Sequence, residues 1–297
     1  MGQFKNVKVI VNPTAKRGFA SRLIPSLHQK LQALNLNYSL CTTRYPEDAV
    51  AIAKKACQKK FDVIAAVGGD GTVNEVINGI GFDGPPLCII PAGTGNDLAR
   101  SLGIPLNPLQ AVSLLEHWKI SKIDLGQEKD RIFSIIAGIG FPAEVMQRTN
   151  EYRGIFKGPG AIAFNVIKTI SLLKPQPVEL ELDDCSLVRF TSGIFILNTP
   201  YTGGGMMIAP DAIPDDGYFD IVIINSISKP RLLYLLTQVY SGKHRNHPQV
   251  EFHKARKIII KASETYCKMF DGSIYGTCPL QIELIPKKFK VLTPKEE

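Results

Sequence analysis

The run FDVIAAV at 61–67, followed at once by GGDG and then TVNEVINGI, restricts the architectures open to this chain more than any other stretch. The segment barely alternates between apolar and polar residues, so it reads as a strand buried on both faces. Such a strand belongs in a parallel sheet covered by helices, and the glycine turn into helical sequence supplies one of the connections. The neighbouring sequence repeats the rhythm. VKVIVN (7–12) and YSLCTT (38–43) are strand-like, and the stretch after Gly18 has helical spacing through Leu23, Leu27, Leu31 and Leu34. PEDAVAIAKKACQKK (46–60) has proline at its start, an acidic first turn and a basic end, which predicts a helix. PLCIIPA and NDLARSL add a further strand and helix. Right-handed βαβ units in a Rossmann-like α/β domain follow.

Beyond about residue 128 the rhythm changes. VELELD, VRFTSGIFILN, YFDIVIIN, ARKIIIKA and LQIELI are strand-like runs separated by turn signals, which predicts an antiparallel β-sandwich. Two helical stretches interrupt it, 160–173 and 228–242. The tail FKVLTP has strand character, so the expected division is 1–127 completed by 288–297, and 128–287.

Composition narrows the context. Six scattered cysteines form no CxxC pair and suit neither a disulfide framework nor a zinc site, so a reducing cytoplasm is expected. The first residues lack the apolar core of a signal peptide, and no window reaches the length of a spanning helix. A net charge of +8 would suit nucleic acid, anionic lipid or nucleotide phosphates. Basic and aromatic residues do not interleave, so nucleic acid is not expected as a partner. His244 and His247 read as part of a solvated loop, and Trp118 as packing at a helix end.

The chemistry lies in glycine loops. Gly68, Gly69 and Gly71 can adopt positive φ and leave no Cβ between backbone N–H groups and an anion. A helix starting near Thr72 would point its positive end at the same place. Asp70 between the glycines repels a bare phosphate but suits one arriving with Mg²⁺. PAGTGND (91–97) is a second such loop, in which Thr94 and Asn96 offer hydrogen bonds and Asp97 could cap a helix or meet a metal through water. VNPTAKRG (11–18) is a third candidate. Loops at the C-terminal ends of parallel strands converge on one crevice. Each also has a plain structural explanation: buried turns, helix caps and ordinary polar loops need the same residues.

GGDGTVNEV, PAGTGND, VNPTAKRG and DDGYFD (215–220), in this order and spacing, resemble the diacylglycerol-kinase catalytic-domain family, which includes bacterial YegS-type lipid kinases and, more distantly, sphingosine and ceramide kinases. GGDGT alone also resembles NAD kinases and phosphofructokinases, but PAGTGND does not. The resemblance covers nearly the whole chain. It implies an α/β nucleotide domain followed by a β-sandwich, ATP between them, and Mg²⁺-dependent phosphoryl transfer to a lipid hydroxyl. Asn12 and Thr14 would fall in the first nucleotide loop beside Thr43. Gly68, Gly69, Asp70, Gly71, Thr72, Val73 and Asn74 would cradle the phosphates, with Thr94 and Asn96 at the nucleotide. Asp70, Asp97 and Asp124 would surround Mg²⁺ and its waters. Asp216, with the carbonyls of Ile213 and Tyr218, would bind a second, structural Mg²⁺; an Asp-Gly hairpin turn without metal is the alternative.

The family carries Asp-Gly-Glu late in the chain, with the Glu as proton acceptor. Here KMFDGSIYG has Asp271 and Gly272 but Ser273 in place of the Glu. Serine is no general base at neutral pH. Asp271 or Asp70 could act instead, the acceptor could differ, or the chain could bind nucleotide and lipid with little turnover. The resemblance therefore implies a cytoplasmic, peripherally membrane-associated kinase of a lipid such as diacylglycerol or phosphatidylglycerol. The competing readings are a catalytically weak nucleotide- and lipid-binding protein and an NAD-kinase-like phosphotransferase. The sequence leaves a homodimer open. The apolar residues Ile162, Phe164, Ile167 and Ile170 read as either a core helix or a wall of the lipid site.

Overall fold

The computed structural model describes residues 4–151 and 159–295; the side chains of 150–151 and 159–163, Ile162 among them, fall outside that description. The chain forms two units, residues 1–125 with 286–297, and 126–285.

In the first unit the aliphatic runs become four parallel strands. These are β1 (Asn6–Val11), β2 (Asn37–Thr42), β3 (Val63–Gly68) and β4 (Leu87–Pro91). All six residues of β3 are buried, as its lack of alternation predicts. The order is β2-β1-β3-β4, with Val9 facing Leu40 on one side and Ala65 on the other. The chain therefore leaves β1 toward β2 and returns past it to β3. Loops after β1 and β3 part company there, which makes the β1–β3 gap the switch point where open α/β sheets bind ligands.

Between the strands lie α1 (Ala15–Arg22), α2 (Ile24–Ala33), α3 (Asp48–Gln58) and α4 (Asp70–Ile80), followed by α5 (Asp97–Ser101) and α6 (Pro108–Ala111). Leu27 and Leu31 of α2 and Ala49, Ala53 and Ala56 of α3 are buried, the stripes that periodicity assigns to the core. Trp118 stacks on Phe4 with ring centroids 4.6 Å apart. β5 (Lys119–Glu128) leads out of this unit, and the last strand returns to it: Val291 pairs in parallel with Leu87, and the Ser121 and Thr293 hydroxyls meet at 2.6 Å.

The second unit is antiparallel. Its elements are β6 (Arg131–Phe133), β7 (Ile136–Gly140), α7 (Phe141–Glu151), α8 (Pro159–Leu172), β8 (Gln176–Leu182), β9 (Cys185–Leu197), β10 (Tyr201–Thr202), β11 (Met206–Met207) and β12 (Phe219–Asn225). α9 (Lys229–Gln238), β13 (Val250–Ala255), β14 (Lys257–Lys261), β15 (Cys267–Phe270), β16 (Ser273–Thr277) and β17 (Leu280–Thr293) complete it. β9 pairs with β8 up to Thr191 and with β7 from Gly193, while β12 pairs with it from Thr191 to Leu197. At the irregularity the Thr191 hydroxyl donates to the Ile224 carbonyl at 2.6 Å and accepts the Gly193 N–H, so a side chain satisfies two backbone groups at the bend. Phe133 stacks on Phe219 at 5.4 Å and lies 5.6 Å from Phe270, at the centre of an aliphatic core. Each such fully buried side chain contributes roughly 1.5–3 kcal/mol. Gly126 faces Phe133 across the β5–β6 pair, and a Cβ on it would lie 2.1 Å from that ring.

One expectation is corrected here. His244 is buried rather than solvated: its Nε2 lies 2.8 Å from the Ile208 carbonyl and its ring packs on Phe252. Burial pushes its imidazole below the ordinary 6.5, against the opposing pull of that carbonyl.

Candidate active site

Three loops meet at the C-terminal edge of the parallel sheet. Asn12, just past β1, donates from Nδ2 to the Thr72 hydroxyl of α4 at 2.9 Å, which bridges the switch point. Asn12 Oδ1 meanwhile accepts from the Thr14 backbone N–H and hydroxyl, closing its own turn. The Thr43 N–H continues the β1–β2 ladder to Val11, which brings Thr43 beside this loop. The chain then passes through Lys16, Arg17 and Gly18 with φ of 46°, 55° and 83°. Two consecutive non-glycine residues in the left-handed region store about 1–3 kcal/mol of strain each, a feature that clusters at ligand sites.

The glycines of GGDG act differently from the expectation. None of the three has positive φ; α4 starts at Asp70, and its N-cap Gly69 is extended. Gly68 and Gly69 are there for close approach. A Cβ on Gly68 would meet the Thr72 hydroxyl at 2.5 Å, and one on Gly93 would lie 2.2 Å from the Gly69 Cα. The GGDG and PAGTGND loops thus touch backbone to backbone. Gly71 alone faces open space, with nothing within 4 Å of a Cβ placed on it. That space lies at the start of α4, where the helix presents its positive end. Val73 is turned away from a ligand: its side chain is buried and its N–H is committed to the Gly69 carbonyl. Asn74 accepts from the Asn78 amide in the next turn.

The PAGTGND loop is held by Asn96, whose Oδ1 accepts the Gly93 N–H at 2.9 Å and whose own φ is 54°. Its side chain therefore shapes the loop and does not cap α5. Asp70 does that instead, accepting the Leu98 N–H at 3.2 Å. Thr94 is exposed at the loop tip. Asp97 and Asp124 are buried, and Asp124 accepts the Lys287 N–H at 2.7 Å. Among the described residues no three His, Cys, Asp or Glu side chains are grouped to hold a metal ion by themselves.

In the second unit Asp271 (φ 42°) and Gly272 (φ 83°) form the two central residues of a tight hairpin turn between β15 and β16. The Asp271 carboxylate accepts four donors. Oδ2 takes the Ser134 N–H and hydroxyl at 2.8 and 3.0 Å, and Oδ1 takes the Ile135 and Ile136 N–H groups at 2.9 and 2.8 Å. Burial pushes this carboxyl up, and the four donors oppose it. With four donors on its two oxygens, Asp271 tethers the turn to the Ser134–Ile136 backbone, and a proton arriving there would have to compete with these bonds. Ser273 follows at the start of β16, exposed.

The DDGYFD loop also departs from expectation. Asp216 is present, but its Oδ1 accepts the Tyr218 N–H at 2.9 Å and its Oδ2 accepts the Lys254 ammonium at 2.7 Å. The Ile213 carbonyl lies 3.4 Å from the Asp216 N–H. An ammonium stands where the resemblance puts a metal, so the residues present do not fit a divalent ion.

Comparison with known proteins decides the family. Residues 6–128 match the diacylglycerol kinase catalytic domain, and 135–293 match the YegS C-terminal NAD kinase beta sandwich-like domain. A diacylglycerol kinase of Bacillus subtilis (strain 168) is 31% identical over 99% of this chain and 98% of its own length. One of Staphylococcus carnosus (strain TM300) is 30% identical over 98% and 96%. The chain belongs to the diacylglycerol kinase family. A crystal structure of a diacylglycerol kinase from Bacillus anthracis str. Sterne superposes on it with a TM-score of 0.74 at 26% identity, covering 99% and 98% of the two chains. As a member of this family the chain is a lipid kinase with an α/β domain and a β-sandwich-like domain.

Diacylglycerol kinase sequence motifs point to the loops but not to how they are joined. The Asp70–Leu98 bond, the Gly69–Gly93 contact and the Lys254 ammonium each depend on residues far apart in the chain. No local pattern signals them.

Proposed function

We propose that the chain transfers the γ-phosphoryl group of ATP, with Mg²⁺, to a hydroxyl of a membrane lipid such as diacylglycerol or phosphatidylglycerol. The observation that carries this reading is the junction of three loops at the switch point, with Gly71 facing open space at the start of α4. On this reading the N–H groups at the start of α4 receive the β- and γ-phosphates, and Asn12, Thr14, Thr43, Thr94 and Asn96 shape the rest of the nucleotide site. Asp70, Asp97 and Asp124 supply only oxygen donors, which fits Mg²⁺, an ion commonly held by one or two carboxylates together with phosphate and water. When bound, the metal would neutralise charge developing on the transferred group. Proton acceptance falls to Asp70 rather than Asp271. A loose phosphoryl-transfer transition state demands little of the base, so turnover persists without a carboxylate at 273.

Peripheral attachment to a lipid surface follows from α8. Its buried side carries Asn165 and Thr169, whereas Phe164 and Ile167 are half exposed. No acidic residue occurs from 159 to 178, and Lys168 and Lys174 flank the apolar positions. An apolar face rimmed by cations suits an anionic bilayer. Among the described residues no helix is long and apolar enough to cross one. A homodimer remains part of the proposal, to be read by light scattering.

The test is an assay with labelled ATP and Mg²⁺ on mixed micelles of diacylglycerol, phosphatidylglycerol, ceramide or sphingosine, with NAD in parallel. Label in a lipid confirms the reading and names the acceptor. Retained ATP binding without lipid product would leave the weakly catalytic binding protein that Ser273 suggests, and label in NAD would overturn both.

A further inference from the structure

We propose that Lys254 is the resident cation of the 208–220 loop, so that the β-sandwich-like unit of this chain folds without a divalent metal. The case begins with register. β12 and β13 run antiparallel with Asp220 opposite Lys254, so the lysine is fixed beside that carboxylate by strand pairing. Asp220 is buried, its Oδ2 has no hydrogen-bond partner, and the Lys254 ammonium lies 3.5 Å away. The turn through Gly217 (φ 82°) brings Asp216 to the same ammonium at 2.7 Å. Two carboxylates sharing one site need a cation between them, and Lys254 supplies it. Burial pushes the Asp220 carboxyl up and Lys254 pulls it back.

Other basic side chains hold the same loop. Arg256 stacks over the Tyr218 ring at 4.4 Å and donates to its hydroxyl at 3.0 Å. Arg245 pairs with Asp211, and His244 meets the Ile208 carbonyl. Four basic side chains thus hold one loop from Ile208 to Asp220. A divalent ion at Asp216 would have to expel an ammonium already in contact with both carboxylates.

The test reads metal content and melting, so it is independent of whether the chain turns over lipid. The full chain is gel-filtered in EDTA, its metal is measured by mass spectrometry, and its Tm is compared in EDTA and in millimolar MgCl₂. Expected are substoichiometric metal and a Tm that differs by no more than about 1 °C between the two buffers. Lys254→Met should lower the Tm in EDTA by several degrees and recover on adding Mg²⁺ or Ca²⁺, because two carboxylates are then left without a cation. Lys254→Arg, which keeps the charge, should behave as the wild type and decides the matter if Lys254→Met fails to fold. One equivalent of tightly held metal in the wild type, with a Tm that falls on chelation, would overturn the proposal.

Discussion

The Asp70 carboxylate accepts the Leu98 N–H at 3.2 Å, so the acidic residue of one glycine loop caps the helix that leaves the next one, 28 residues on. A group proposed for the metal and the proton is thereby also a joint between two loops. The two roles separate by substitution. Asparagine keeps an oxygen that can accept from Leu98 but loses the charge. Asp70→Asn should therefore reduce kcat by roughly 10²–10³-fold while leaving the melting temperature nearly unchanged. Activity within a few-fold of wild type would remove Asp70 from the chemistry, and a collapsed Tm would make it purely structural.

The glycines give a matched pair. A methyl group on Gly93 would sit 2.2 Å from the Gly69 Cα, whereas one on Gly71 meets nothing within 4 Å. Gly93→Ala should force the two loops apart and cost about 1–3 kcal/mol of stability. Gly71→Ala, near the start of α4, should leave stability unchanged or raise it by up to about 1 kcal/mol. It should nevertheless raise the KM for ATP about tenfold, the equivalent of ~1.4 kcal/mol of lost phosphate contact. Thermal melts and ATP titrations on the two variants distinguish packing from ligand space.

How far the sequence could be read depends on where each signal lies. FDVIAAV yields a buried parallel strand because burial on both faces erases alternation within a few neighbouring residues. The change to an antiparallel β unit is legible for the same local reason. GGDG is legible as a loop but misleading in mechanism. Positive φ is a property of the residue itself, whereas close approach to Gly93 is a property of a partner that only the fold supplies. Asp271 shows the same limit. Asp-Gly correctly signals a tight turn, but the three consecutive N–H groups at 134–136 that claim its carboxylate lie some 135 residues away. His244 reads as part of a solvated loop because no further His or Cys lies near the pair in sequence, yet its burial is decided by Ile208 and Phe252.

Ser273 and Asp271 can be tested together. Asp271→Asn would turn an amide N–H toward backbone donors and should cost about 1–3 kcal/mol, the penalty for leaving buried donors unsatisfied. Its effect should appear in stability before it appears in KM. Ser273→Glu restores a carboxylate at an exposed position directly after the turn and should raise kcat by tenfold or more, within the ~10²–10⁴ that a general base contributes. No change in kcat would mean that proton transfer is already served by another group, and would support Asp70.

His244 makes a prediction about pH. Its folded pKa lies below the unfolded value of 6.5, with burial as the cause. Below pH 6.5 the unfolded chain takes up a proton that the folded imidazole resists, so stability is present above that pH and is lost as the pH falls. The wild-type Tm should decline from pH 7 toward pH 5, and His244→Gln should flatten that slope while lowering the Tm at pH 7 through the weakened contact with Ile208. A slope unchanged by the substitution would assign the acid sensitivity elsewhere.

The outward apolar side of α8 is the last test. Phe164 and Ile167 are 52% and 55% exposed, while Asn165, Thr169 and Ile170 on the same helix are buried, so two apolar side chains are left facing outward. Because the two apolar side chains are half exposed, replacing both with serine should change the Tm by no more than a few degrees. Vesicles containing phosphatidylglycerol should sediment the wild type at low salt and the double variant far less, with the difference shrinking as salt screens Lys168 and Lys174. Lipid phosphorylation by the variant should fall on vesicles but persist on short-chain lipid presented as monomers. Equal sedimentation of the two proteins would show that another surface meets the membrane.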